Sequence, residues 1–147
     1  MPTARRSRTV AAAPEEVWAT VADPHHLPRW WPRVQRVEGV TGDRFTQVLT
    51  TDKGRAVRAD FRLLEARAPE LCRWVQEVEG TPFANLLAHA ETEVRVARAA
   101  DGARVELVAR QRLRGSARLG GFLVRRATAR VLDEALEALA SLHAPAR

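Results

Sequence analysis

The side chains of this 147-residue sequence with the means for chemistry are four histidines, one cysteine and a few neutral amides. His25 and His26 are adjacent. On a helix they would point about 100° apart and could not share a metal ion. His89 and His143 stand far off in sequence, and no H-x-x-x-H or C-x-x-C spacing occurs. A bound metal needs three or four convergent ligands, so no metal site and no cofactor is expected. His89 and Glu91 lie two apart, the spacing of one strand face, and a histidine beside a carboxylate could act as a general base. That face continues into Glu93 and Arg95, however, while Ala88, Ala90, Thr92, Val94 and Val96 lie opposite. The His89–Glu91 face is therefore read as the solvent face, and neither residue as catalytic. Cys72 is alone, which excludes an internal disulfide. As a nucleophile it would need an activating base; none is evident, and it reads as core.

The polar residues assigned to inward faces are Gln76, Thr92, Gln111 and Gln47, all neutral. A buried amide can orient a carbonyl or hydroxyl but is a poor proton carrier near neutral pH. With no inward Asp, Glu or His, the pattern points to binding rather than to turnover. Trp74 and Phe61 share those faces. Together they suggest an aromatic wall for an uncharged, apolar, ring-containing molecule.

Positioning these residues takes a defined order of elements. Arg6 to Ala12 reads as a strand. Ala13-Pro14-Glu15-Glu16 opens a helix, with proline in the first turn and acids at the positive end of the dipole; Asp23-Pro24 stops it. A second short helical turn covers His25 to Trp31. Period-two alternation follows in strands over 33–40, 44–51, 55–66, 71–79, 86–98 and 103–114, separated by turn residues such as Gly42-Asp43, Asp52-Lys53-Gly54 and Asp101-Gly102. After a break at 115–121 the period becomes 3.6, and Phe122, Val124, Ala127, Val131, Ala135, Leu139 and Leu142 form an apolar stripe on a helix ending at Leu142. Strands joined by short turns are antiparallel, and their apolar face needs a cover. Only the C-terminal helix is long enough. The expected fold is α+β: a curved seven-stranded antiparallel sheet wrapped around a long C-terminal helix, with two short helices after the first strand. One helix cannot fill such a sheet, so a cavity between them is the natural ligand site.

The opening, Arg8-Thr9-Val10-Ala11-Ala12-Ala13-Pro14-Glu15-Glu16-Val17-Trp18-Ala19, and its continuation from Val21 to Pro32 resemble START-like proteins of the birch-pollen-allergen superfamily (SRPBCC). The Asp101-Gly102 turn and the closing amphipathic helix match the same pattern, over essentially the whole chain. The nearest subgroup is the bacterial polyketide cyclase/dehydrase and lipid-transport proteins. The resemblance implies the helix-grip fold and one START-like ligand-binding domain over residues 1–147. It places Trp30 and Trp31 on the short-helix wall of a cavity mouth and Phe122 on the same rim. It carries over no universal catalytic motif. The ligand-binding set is thus Trp30, Phe61, Trp74, Gln76, Thr92, Gln111 and Phe122.

Composition limits the partners. Of 24 Lys plus Arg only Lys53 is lysine, and isoleucine and tyrosine are absent. That usage reads as a GC-rich bacterial genome, so the net charge of +6 is a weak argument for nucleic acid, which is not expected as a partner. No apolar run approaches the roughly 20 residues of a membrane span, and a reducing cytoplasm is the expected location. Arg114, Arg118, Arg125, Arg126 and Arg130 gather where the long helix begins, either as codon-driven arginine on a solvated face or as a positive rim for an acidic ligand end. The first functional reading is binding or transport of a hydrophobic small molecule. The alternative is a polyketide aromatase/cyclase or dehydrase, and a third is a protein-interaction module. The sequence leaves the oligomeric state open.

Overall fold

The alternating segments from Val34 onward fold as antiparallel hairpins, with short turns everywhere except the ten-residue connection 77–86, which holds a 3₁₀ turn (Pro82–Asn85). The computed structural model describes residues 2–145. Its strands are β1 Thr3–Val10, β2 Val34–Thr41, β3 Arg44–Thr50, β4 Ala56–Arg67, β5 Leu71–Gln76, β6 Leu87–Ala99 and β7 Gly102–Leu113. All pair antiparallel in one sheet of order β1-β7-β6-β5-β4-β3-β2. The first two strands therefore occupy opposite edges. Helix α1 (Pro14–Val21), a 3₁₀ turn (Pro24–His26) and helix α2 (Leu27–Trp30) carry the chain between them. Helix α3 (Gly121–Leu142) then crosses the concave face and packs on β1, β7 and α2. This is the expected helix-grip architecture.

The concave face is the core. Val10, Val17, Leu27, Val94, Val105 and Leu107 are buried there beneath Leu132, Leu136 and Leu139 of α3. Thr20 Oγ1 lies 3.1 Å from His143 Nε2, tying α1 to the end of α3. The β6–β7 turn is held just as closely. Gly102 sits at φ +141°, and a Cβ there would lie 2.1 Å from the Val10 carbonyl oxygen. Only glycine lets β7 pass the end of β1 at this separation.

Two expectations about the elements need correction. The strand expected over 71–79 ends at Gln76. The Glu77 N–H still donates to the Asp60 carbonyl, but Val78 then turns into a separate apolar cluster and Thr81 Oγ1 donates to the Val78 carbonyl. The α3 stripe is also rotated from the expected one. The buried residues are Ala129, Leu132, Ala135, Leu136 and Leu139, with Val124 facing the separate cluster of Val78, Leu87 and Leu113. At 100° per residue Phe122 lies about 200° from Val124. It cannot share that face, and it is 65% exposed.

Candidate functional site

The sheet and α3 enclose a cavity of about 210 Å³. Alternation on three neighbouring strands builds its floor, because side chains two apart share a face. Gln76 and Trp74 come from β5, Ala90 and Thr92 from β6, and Ala109 and Gln111 from β7. Phe61 of β4 and Gln47 of β3 extend it sideways, and Thr128, Val131 and Leu132 of α3 form the roof. Five residues named from the sequence thus border one space: Phe61, Trp74, Gln76, Thr92 and Gln111.

The other two do not. Trp30 is 2% exposed and packs into the core between α2 and α3; its neighbour Trp31 reaches the cavity instead. The rings meet edge to face at 5.4 Å, and adjacent positions on one turn cannot both point inward. Phe122 falls on the same helical face as the buried Ala129, seven residues on, but stands in the first turn of α3, where it is 65% exposed and does not line the cavity. Thr128 and Trp31 also line the cavity, although the reading of residue types did not place them in the ligand-binding set. Thr128 could have been found from its place one turn ahead of Leu132 on the buried face of α3. The arginine rim is displaced too: none of Arg114, Arg118, Arg125, Arg126 and Arg130 lines the cavity.

The polar inventory of the cavity is neutral apart from its border at Glu91. Thr128 Oγ1 donates to Gln111 Oε1 at 3.2 Å, which fixes that amide and aims its NH₂ group away from the threonine. Gln76 Nε2 is buried and has no hydrogen-bond partner. A buried, unpaired amide donor costs about 1–3 kcal/mol, and an acceptor atom brought to it by a ligand would remove that penalty. The Glu91 carboxylate is engaged by Arg73 at 3.1 Å, Arg110 at 3.3 Å and His89 at 3.3 Å. Glu93 is held likewise by Arg95 and Arg110. His89 and Glu91 occupy the face expected for them, but Glu91 is not solvated: its side chain is 10% exposed under the arginines. Burial works to raise both carboxyls, and the guanidinium hydrogen bonds and charges outweigh it, holding them below the usual carboxylate range. A carboxylate so committed is a poor base.

A second cavity of about 90 Å³ lies on the other side of Trp74, between α2, the β2–β3 turn and Cys72. Phe45 and Phe61 stack at 5.2 Å, and Phe45 meets Trp74 edge to face at 6.3 Å. This aromatic group is the wall between the two spaces. Burial pushes the Cys72 thiol up to about 12, so it stays protonated and inert. His25 and His26 sit at the surface, both turned to Asp23. Among the described residues no His, Cys, Asp or Glu cluster has a metal-binding arrangement.

A curved sheet gripping a long helix, with a cavity between them, defines a START-like protein. The chain belongs to the polyketide cyclase / dehydrase and lipid transport family, whose model matches residues 1–144. The START superfamily protein from Mycobacterium smegmatis superposes with a TM-score of 0.78 at 11% identity, covering 96% of each chain. XoxI from Bacillus cereus gives a TM-score of 0.79 at 16% identity, over 97% of this chain and 96% of that one. The di-domain ARO/CYC protein BexL from the BE-7585A biosynthetic pathway gives 0.79 at 26% identity, over 96% of this chain and 46% of that one. Comparison with curated proteins gave no match.

Proposed function

We propose that the protein binds a small, uncharged, ring-containing molecule in the cavity beneath α3, with a carbonyl or hydroxyl oxygen on the ligand accepting from Gln76. The observation that carries this reading is the unpaired Gln76 amide buried against an aromatic-walled space. The volume sets the scale. A cavity of about 150 Å³ accepts benzene, so about 210 Å³ suits one substituted ring. The wall residues supply contact area, and Gln111 with Thr128 supplies a second polar point. An ionised group inside would be poorly compensated.

A polyketide aromatase/cyclase is the second reading, favoured by the family and by the likeness to the di-domain ARO/CYC protein. A long polyketide chain needs more space than the larger cavity offers, since sites for drug-sized molecules run about 300–1,000 Å³. The carboxylate nearest the cavity is also already clamped. Both points support binding over turnover.

The test is native mass spectrometry of the purified protein for a retained small molecule, then fluorescence titration with substituted phenols, quinones, fatty acids and short polyketides. Gln76→Leu removes the amide. It should weaken a carbonyl-bearing ring about 5–30-fold, the worth of one hydrogen bond to a buried group, and leave its deoxy analogue unaffected. Failure of the folded protein to bind any of these classes would remove the proposal.

A further inference from the structure

We propose that the end of the molecule formed by the start of α3 is a docking surface for an anionic lipid bilayer. This reading is independent of what the cavity holds. Leu119 is 93% exposed, Phe122 65% and Leu123 67%. Single exposed apolar residues are ordinary, but these three fall within five positions, Leu119 near the end of the 3₁₀ turn Gly115–Gly120 and Phe122 and Leu123 in the first turn of α3. Leu86, itself 47% exposed, is tied to the chain leading into this end: the Arg114 N–H donates to its carbonyl oxygen at 2.8 Å. Beneath the tip, Val78, Leu87 and Leu113 form an apolar platform with Val124. The exposed side chains therefore stand on a packed base.

Charge separates this end from the rest of the protein. Elsewhere many arginines find carboxylates, as Arg73, Arg95 and Arg110 do on the outer face of the sheet. From Leu107 to Leu132 the sequence holds seven arginines and no acid. Among the described residues Arg112, Arg118, Arg125 and Arg126 have no ion-pair partner, and Arg114 has only the exposed Glu79 at 3.9 Å. The positive end of the α3 dipole points the same way, with no acid in its first turn. In sequence this acid-free run of arginines brackets the exposed Leu119, Phe122 and Leu123.

A bilayer interface fits this arrangement better than a protein does. The apolar residues project from a tip and do not line a groove, so they need a fluid partner that closes around them. Leucine and phenylalanine can enter the acyl boundary while arginines lie along it with their guanidinium groups at the phosphates. Leu123 precedes Thr128 of the cavity roof by five residues, about 8 Å along the helix, so docking would bring the cavity close to the lipid.

The full chain would be sedimented with vesicles of phosphatidylcholine alone, or phosphatidylcholine with phosphatidylglycerol. Binding to the anionic vesicles that weakens as salt rises is expected, with little binding to the neutral ones. Leu119→Ser/Phe122→Ser/Leu123→Ser should bind at least tenfold more weakly with an unchanged unfolding midpoint. Each of Arg118→Gln, Arg125→Gln and Arg126→Gln should cost about fivefold. Because Cys72 is inert, Leu123→Cys can carry an environment-sensitive dye, and its emission should shift to the blue on the anionic vesicles. The proposal is overturned by absence of vesicle binding at low salt, by undiminished binding of the apolar triple variant, or by an unshifted dye. A tip covered instead by an acidic protein or a second copy of the chain would give no vesicle binding, and that outcome also overturns it.

Discussion

Trp74→Ala tests the site most directly, because one ring forms the wall of two spaces. The residue is 4% exposed. Burying roughly 200 Å² of indole at about 25 cal/mol per Å² contributes about 5 kcal/mol as an upper bound. Its two broad sides already face cavities of about 210 and 90 Å³, so fewer packed neighbours lose contact than in a solid core. The stability loss should fall near the low end for such truncations, about 3 kcal/mol. Urea unfolding followed by circular dichroism would read it. For the ligand the indole is a large part of the wall, and its removal should weaken binding by about 2–4 kcal/mol, some 30- to 1,000-fold. Titration under conditions where the variant is folded isolates this effect, and Trp74→Phe should fall between the two. A Trp74→Ala protein that keeps its fold and binds within about threefold of wild type would refute the assignment of the site.

Three further outcomes follow from the described geometry. Gly102→Ala places a methyl 2.1 Å from the Val10 carbonyl oxygen at a positive φ; it should lose about 2–4 kcal/mol, read as a lower melting temperature. Glu93→Gln should lose about 1–3 kcal/mol near neutral pH, because Arg95 and Arg110 lose a charged partner. The depressed carboxyls of Glu91 and Glu93 give stability that is complete above the unfolded carboxylate range near pH 4 and lost as pH falls through their folded values; in Glu93→Gln the acid-side slope of unfolding free energy against pH should be shallower. Native Cys72 should not react with a disulfide reagent at pH 8 on a timescale where the urea-unfolded chain reacts at once, since its thiol sits near pKa 12.

The fold was readable because the strands have one apolar and one polar face over most of their length. β4, β6 and β7 alternate through a dozen residues, and a register error would have turned whole rows outward. The floor of the cavity followed from the same alternation, which is why Trp74, Gln76, Thr92 and Gln111 meet. The helices were less legible. An apolar residue on α3 can face the sheet, the small Val78 cluster or open space, and residue type does not distinguish Phe122 from Leu132. Between Trp30 and Trp31 the choice depends on how α2 is rotated against α3, a tertiary fact absent from local pattern. The arginine clamp over Glu91 was hidden for a related reason. Strand alternation tells which face a carboxylate takes but not how two arginines and a histidine will lie across it.

The strand order has a consequence for how the chain comes to be folded. Thr3 pairs with Arg110 and Val10 with Ala103, so β1 emerges first from the ribosome and finds its partner last. At about 5–20 residues per second, some 5–20 s pass before β7 has been made. During that time β1 has no neighbour, and β2 to β6 can grow only as a sheet missing two strands and its covering helix. Such long-range closure is slow by nature. The early strand is made tolerable in solution by Arg5, Arg6 and Arg8, three like charges on an edge that would otherwise template strand addition. The same arginines that read as codon usage thus guard the nascent chain until α3 closes over the sheet.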